Sequence, residues 1–211
     1  MRSGNKIYLM ALVLTLALLG APNLACDRQS GPTITVGRTE IKLLEPQGLI
    51  RIDESHPQYL EVTKSLLQEP GTRVSALYVD PVIWEAYLDG LGPEGPSVPL
   101  DFYAAMLTFE ILDDMDINLK QFAAGIKEGS LAGFSARGAE VLADQPRYYT
   151  IRLGQADPDS GAEIRQVNSA LVVNRKVLVL ITDSWADSRH RQRAEDIALN
   201  WRDAYLKQTQ P

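Results

Sequence analysis

Cysteine is nearly absent from this chain: Cys26 stands alone among 211 residues. One thiol cannot close an intrachain disulfide, so the fold must be held by packing. Histidine is almost as scarce, with only His56 and His190, and neither sits in a His-Glu-x-x-His or other metal-ligand spacing. No metal is therefore expected. The nucleophile-elbow pattern is missing too, since Gly133-Phe134-Ser135-Ala136-Arg137 carries Arg137 where the turn requires glycine. There is no Gly-x-x-x-x-Gly-Lys phosphate loop and no dinucleotide fingerprint, and no cofactor is expected. Positive charge is in deficit, with 21 Lys and Arg against 27 Asp and Glu, for a net charge of −6. That balance argues against nucleic acid as a partner and against a polybasic grip on anionic lipid. No apolar run reaches the length that spans a bilayer comfortably.

The longest apolar run is Ile7–Leu19, preceded by Arg2 and Lys6 and followed by Gly20-Ala21-Pro22-Asn23-Leu24-Ala25-Cys26. A positive start, a short apolar stretch and small residues before a cut form a secretory signal. The segment resembles the signal of bacterial lipoproteins, whose lipobox is Leu-(Ala/Ser)-(Gly/Ala)-Cys. Ala25 and Cys26 match it; Asn23 departs from it, standing where the family has Leu. The resemblance implies cleavage before Cys26, a diacylglycerol on its sulfur and a further acyl chain, usually palmitate-like, on the new amine. It also implies a membrane location facing the periplasm or cell exterior. Asp27 in the second mature position points to the inner membrane. Two competing expectations are ordinary cleavage after Ala25 and an uncleaved signal anchor.

The expected organisation is a signal peptide over 1–25, a lipidated Cys and linker over 26–32, and a single domain over 33–211. The leader's only charges are Arg2 and Lys6, so the mature chain is more acidic still. A linker from Asp27 to Pro32 extends to only about 20 Å, at roughly 3.3–3.6 Å per residue, and would keep the domain near the bilayer.

Within the domain, Thr33–Val36 and Glu40–Leu44 flank Gly37-Arg38 as a hairpin. Leu49–Ile52 is a short strand. Tyr59, Leu60, Thr63, Leu66 and Leu67 follow at helical spacing. Arg73–Asp80 is a strand with apolar residues on both faces, Pro81–Leu88 a helical segment, and 89–99 a loop rich in Gly and Pro. Tyr103–Leu112 is a second central strand. Asp116 is the expected N-cap of a helix over 117–128, and 139–142 is read as helical. Tyr148–Gln155, Ile164–Val173 and Lys176–Thr182 are strands, with a turn at 157–161 and a tight one at Asn174-Arg175. An amphipathic helix beginning at Asp187 or Ser188 closes the chain. The fold class is α+β: a single antiparallel β-sheet packed by helices, with an N-terminal β-hairpin and a C-terminal amphipathic helix. This element order is similar to that of the PsbP-like group of small exported α/β domains.

Trp84, Tyr87, Phe102 and Tyr103 flank the Gly/Pro-rich loop and would line a ligand site if that loop folds over a groove. Asp114-Met115-Asp116-Ile117-Asn118 opens like a calcium loop, but positions 6 and 12 of that loop would be Leu119 and Gly125 rather than Gly and Glu. It reads instead as an acidic cluster before a helix. The leading functional expectation is a non-enzymatic, lipid-anchored domain that serves a protein partner. One alternative is a small-ligand binder using the loop at 89–99; the other is an exported hydrolase built on an unrecognised pair of carboxylates.

Overall fold

Two short strands begin the domain, β1 (Thr33–Val36) and β2 (Thr39–Lys42), joined by a turn in which Gly37 holds φ +59. Glycine is required there twice over. The conformation is left-handed, and an added Cβ would meet the Asp113 carbonyl at 1.9 Å. The computed structural model describes residues 31–58, 71–92, 95–96, 102–156, 163–185 and 188–208. The expected leader with Cys26, the helix expected from Tyr59 to Leu67, residues 93–94 and 97–99 of the loop at 89–99, and the turn at 157–161 lie outside the described residues.

β3 (Ile50–Ile52) and β4 (Thr72–Val79) precede α1 (Pro81–Asp89). Asp80 ends β4 and starts the helix: its carboxylate accepts from the N–H groups of Val82 (2.9 Å) and Ile83 (3.3 Å), with Pro81 in the first turn. A two-residue ladder, β5 (Leu91–Gly92) with β6 (Gly95–Pro96), leads to β7 (Phe102–Phe109) and a 3-10 turn, Glu110–Leu112. The next helix begins as α2 (Leu119–Gln121), widens into a π-helical stretch (Phe122–Lys127) and continues as α3 (Glu128–Ser135). Its N-cap is Asn118 rather than Asp116. Asn118 and Gln121 form a reciprocal capping box, each side chain bonding the other's backbone N–H. β8 (Glu140–Gln145) replaces the helical turn expected at 139–142. Its helix-favouring Glu, Leu and Ala are overridden by pairing with the strand that follows.

A meander of β9 (Tyr148–Ala156), β10 (Glu163–Val173) and β11 (Lys176–Trp185) precedes α4 (Ser188–Gln208). Asn174 and Arg175, both at positive φ, close the β10–β11 hairpin with the backbone hand that matches strand twist. Seven strands join in one sheet, ordered β3-β4-β7-β11-β10-β9-β8, with every neighbouring pair antiparallel. The fold is α+β, as the element pattern implied.

Both faces of the sheet are covered. On one, Tyr78, Met106, Leu171, Leu178 and Leu180 pack against the N-terminal hairpin and against Ala194, Ile197, Trp201 and Tyr205 of α4. The opposite face carries two separate apolar clusters. Trp84 and Tyr87 of α1 lie over Leu77, Val79, Ala105 and Leu107. Ile117 and Phe122 lie over Tyr149, Ile151, Ala170 and Val172. Central strands that are apolar on both sides are what a sheet covered on both sides demands.

First and last elements are riveted at Leu44. Its N–H donates to the Tyr205 hydroxyl at 2.9 Å, and its carbonyl accepts from the Trp201 indole N–H at 2.5 Å. Trp201 and Tyr205 are one helical turn apart, so both reach the backbone of the same residue. The Trp201 ring meets Tyr78 edge-on at 5.4 Å, which ties the rivet to the sheet. Replacing Tyr205 by Phe keeps the ring and leaves the Leu44 N–H without its acceptor. A loss of about 1–2 kcal/mol is expected in urea unfolding. No shift in the midpoint would mean that the rivet does not contribute.

Candidate functional site

Strand pairing sets Val79, Tyr103, Asp183, Gln166 and Leu153 in one row across the sheet, on the face that carries α1 and α2. Paired residues share a face, and the next row inward repeats this with Ala105, Ile181, Asn168 and Ile151. Within these apolar rows lies a polar knot. The Tyr103 hydroxyl donates to Asp183 Oδ2 at 2.9 Å, and Asn168 Nδ2 donates to Gln166 Oε1 at 3.0 Å. Asp183 and Asn168 are buried. Oδ1 of each finds no hydrogen-bond partner among the described residues.

Desolvation pushes the Asp183 carboxyl up to about 6, against the opposing pull of the Tyr103 hydroxyl, the Ser184 backbone and the Gln166 side chain. The Tyr103 hydroxyl is in turn held well above its ordinary value by burial and by the Asp183 charge. The groups that reach Asp183 are a phenol, a carboxamide and a backbone amide. No second carboxylate is among them, so Asp183 is not one member of a close carboxylate pair among the described residues.

Three of the four aromatics flanking the Gly/Pro-rich loop share one face, Tyr103 packing against the cluster that holds Trp84 and Tyr87, while Phe102 belongs to the cluster on the other face. Trp84 and Tyr87 are buried and stacked, with ring centroids 5.3 Å apart and planes 13° from parallel, as core of the α1 cluster. Phe102 and Tyr103 are adjacent in a strand and so point to opposite faces. Phe102 is fully buried on the α4 side, 5.5 Å beneath the Arg193 guanidinium. Tyr103 alone joins the polar knot.

Arg193 belongs to a basic turn at the start of α4, but it is committed structurally. It pairs with Asp80 at 2.5 Å, so the cap of α1 is also the anchor of α4. Burial raises the Asp80 carboxyl, yet the Arg193 guanidinium and the N–H groups of Ile83 and Val82 outweigh it and hold the carboxyl below its ordinary value.

A second feature was not foreseen from the sequence. An open groove of about 410 Å³ is lined by Leu112, Met115, Ile117, Gln121, Ala124, Gly125 and Ile126. Beside it the chain exposes large apolar side chains: Ile111 is 81% exposed, Met115 46% and Leu119 43%. The π-helical turn forms one wall. Phe122 is driven fully into the core while Ala124 and Gly125 stay exposed. Single π-helical turns inside α-helices are rare and frequently mark functional positions.

The opposite wall, residues 112–117, is irregular chain held by charge. The Lys176 ammonium is buried and donates to the carbonyls of Asp113 (2.8 Å) and Met115 (2.9 Å), with the Asp116 carboxylate at 3.3 Å. Arg73 grips the Asp113 carboxylate through both terminal nitrogens, at 3.0 and 3.2 Å. The Ile117 N–H donates to the Arg175 carbonyl at 2.8 Å. The cation of the calcium-like stretch is therefore a lysine. Among the described residues, no three His, Cys, Asp or Glu side chains gather to hold a metal ion.

No protein-family model matches the chain, and no curated protein matches it.

Two outcomes follow from this geometry. Asp183 holds its proton more tightly folded than unfolded, because its folded value is about 6 against 3.8. Its contribution to stability is therefore greatest at low pH and is lost as pH rises through about 6. Asp183→Asn should remove that slope and leave the protein more stable than wild type above neutrality, by about 1–3 kcal/mol, with the two converging near pH ~4. Urea midpoints across pH measure this; a pH-independent difference would overturn it. Lys176→Met should cost about 2 kcal/mol by stranding two carbonyls, and should speed amide hydrogen exchange at 113–117 well before the sheet. Uniform acceleration across the domain would contradict a local role.

Proposed function

We propose that this chain is an exported bacterial lipoprotein, held at the membrane through acylated Cys26, whose α+β domain docks a protein partner without catalysing a reaction. The open apolar groove beside the π-helical turn carries the proposal. Monomeric domains rarely leave contiguous large apolar side chains in water, and where they do the patch marks an interaction surface. Met115 lines the groove, Ile111 and Leu119 are exposed in the same stretch of chain, and one wall is braced by buried Lys176. The leader supplies the location. Ile7–Leu19 followed by small residues and the chain's only cysteine is the pattern of a lipoprotein signal, and acylation would consume a thiol that has no partner for a disulfide. Two or three acyl chains give stable attachment where one gives marginal binding. Asp27 favours the inner membrane, facing the periplasm. The short linker would keep the docked partner close to the bilayer.

Mass spectrometry of the mature N-terminus is expected to find a diacylglyceryl-modified Cys26, and Cys26→Ala is expected to leave the leader uncleaved. An unmodified N-terminus, or normal maturation of the variant, would remove the anchor. For docking, a photocrosslinking amino acid placed at position 115 in intact cells is expected to capture a discrete partner. The same group at the exposed Gln208 should not. Equal capture from both positions would sink the assignment of the groove.

A further inference from the structure

We infer that the buried polar row at Asp183 binds the ammonium group of a small aliphatic primary amine. The site is separate from the apolar groove. Ile117 of the groove packs in the cluster that holds Val177, and Asp183 stands further along β11, about 20 Å away at roughly 3.3 Å per residue.

The covers of this face part above the row. Val179 of β11 packs against both apolar clusters, that of α1 and that of Ile117 and Phe122. Further along, Ile181 packs with the α1 cluster alone and Leu153 of β9 with the other alone. The two covers therefore diverge toward the end of the sheet where Asp183 lies. Tyr103, Gln166, Ile181 and Leu153 are each partly exposed, so the row is approached from solvent between them.

Within that gap stand acceptors that lack donors. Asp183 and Asn168 are only 7% and 6% exposed, and Oδ1 of each has no hydrogen-bond partner among the described residues. They are diagonal neighbours on paired strands, about 7 Å apart or less by strand geometry. Gln166 is directly opposite Asp183. Its Oε1 accepts one hydrogen bond, from Asn168, and a carboxamide oxygen has two lone pairs. Three acceptors match the three N–H donors of an ammonium. A hard metal ion fits poorly, because it takes about six to eight oxygens. Ile181 and Leu153 offer apolar contact to a short alkyl body.

The charge of Asp183 is uncompensated. Its hydrogen-bonding neighbours are neutral, and no cation pairs with it among the described residues. Arg152 and Arg165 are one residue out of phase and project to the α4 face, where Arg152 pairs with Glu195. The charged side chains of α1 are the acids Glu85 and Asp89, and His56 beside Trp84 pairs with Asp53. On the other cover Lys127 is held by Asp144, and Lys120 lies in the turn after Asn118, at the Ile117 end of the face. A desolvated carboxylate without a counter-ion gains most from a cation that also donates hydrogen bonds.

The probe is n-butylammonium chloride, titrated at about pH 8, where a carboxyl pushed up to about 6 is ionised. Controls at equal ionic strength are tetramethylammonium, which carries charge but no N–H, and potassium. Saturable shifts of the Asn168 and Gln166 side-chain amide signals are expected in heteronuclear NMR. The expected dissociation constant is on the order of 1 mM, the range open to so small a ligand. Asp183→Asn should weaken binding at least about ten-fold. That variant is expected to be the more stable protein at this pH, so loss of fold would not account for the effect. Asn168→Leu, which removes the second acceptor, should weaken binding about three- to ten-fold.

No saturation up to about 50 mM amine overturns the inference. So does unchanged binding by Asp183→Asn, or an equal response to tetramethylammonium. An equal response to potassium would make the row an alkali-ion site and overturn it as well. Shifts confined to the exposed acids at 113–116 would be surface screening only and would reject it.

Discussion

The backbone of one residue, Leu44, holds the two ends of the domain together. A backbone N–H and carbonyl leaving a hairpin would ordinarily find a strand or water. Here both are taken by side chains of the last helix, some 160 residues away in the chain. This forces α4 to lie along one face of the sheet, and Tyr78, Trp201 and Tyr205 then fill the space between.

The other face is covered by pieces rather than by one long helix. α1 shields β3, β4 and β7; the turn at Ile117 and Phe122 shields β9 and β10. The chain must cross from β7 to the far edge strand β8, and it does so through an irregular acidic segment and a helix interrupted by a π-helical stretch. Neither is intrinsically stable. The segment at 113–117 places its carbonyls beside buried Lys176, and Gly37 of the opposite layer is glycine because the Asp113 carbonyl leaves no room for a Cβ. A buried ammonium is tolerated only where oxygens replace its water. The lysine and the loop thus require each other, and the groove is a by-product of that mutual requirement.

Much of this architecture was legible in the sequence, and the exceptions have physical causes. Strands with apolar residues on both faces, such as Arg73–Asp80, announced a sheet covered on both sides. The Asn174-Arg175 turn and the stripe through Ala194, Ile197, Trp201 and Tyr205 were readable for the same reason: local pattern and tertiary need agree there. β8 was missed because Glu140–Gln145 carries a helical composition and owes its extension to pairing with β9. Helix capping moved from Asp116 to Asn118 because Gln121 completes a reciprocal pair with Asn118 that it cannot make with Asp116. The aromatics around the Gly/Pro-rich loop were grouped by proximity in the chain. Strand alternation sends Phe102 to the α4 face and leaves Tyr103 packed with Trp84 and Tyr87. The groove left only a faint signal: Ile111, Met115 and Leu119 recur at four-residue intervals among charged residues, a helical stripe at a place where no core needs it.

The two polar features on this face differ in what they can do. At Asp183 the acceptors are buried, the donors are a phenol and amides, and a single carboxylate is raised mainly by desolvation. Such a group makes the fold sensitive to pH, and the titratable group that faces it is the Tyr103 phenol. Around the groove the arrangement is reversed: charges are exposed, apolar side chains are exposed beside them, and the buried cation is saturated by carbonyls and therefore inert. Catalysis concentrates unsatisfied polarity inside a cleft, whereas recognition places apolar surface outside it with charge at the rim. That contrast is what supports the docking role proposed above. An anchor of the kind proposed for Cys26 would raise the effective concentration of a membrane-bound partner, so a weak groove would suffice where a free protein would need a tight one.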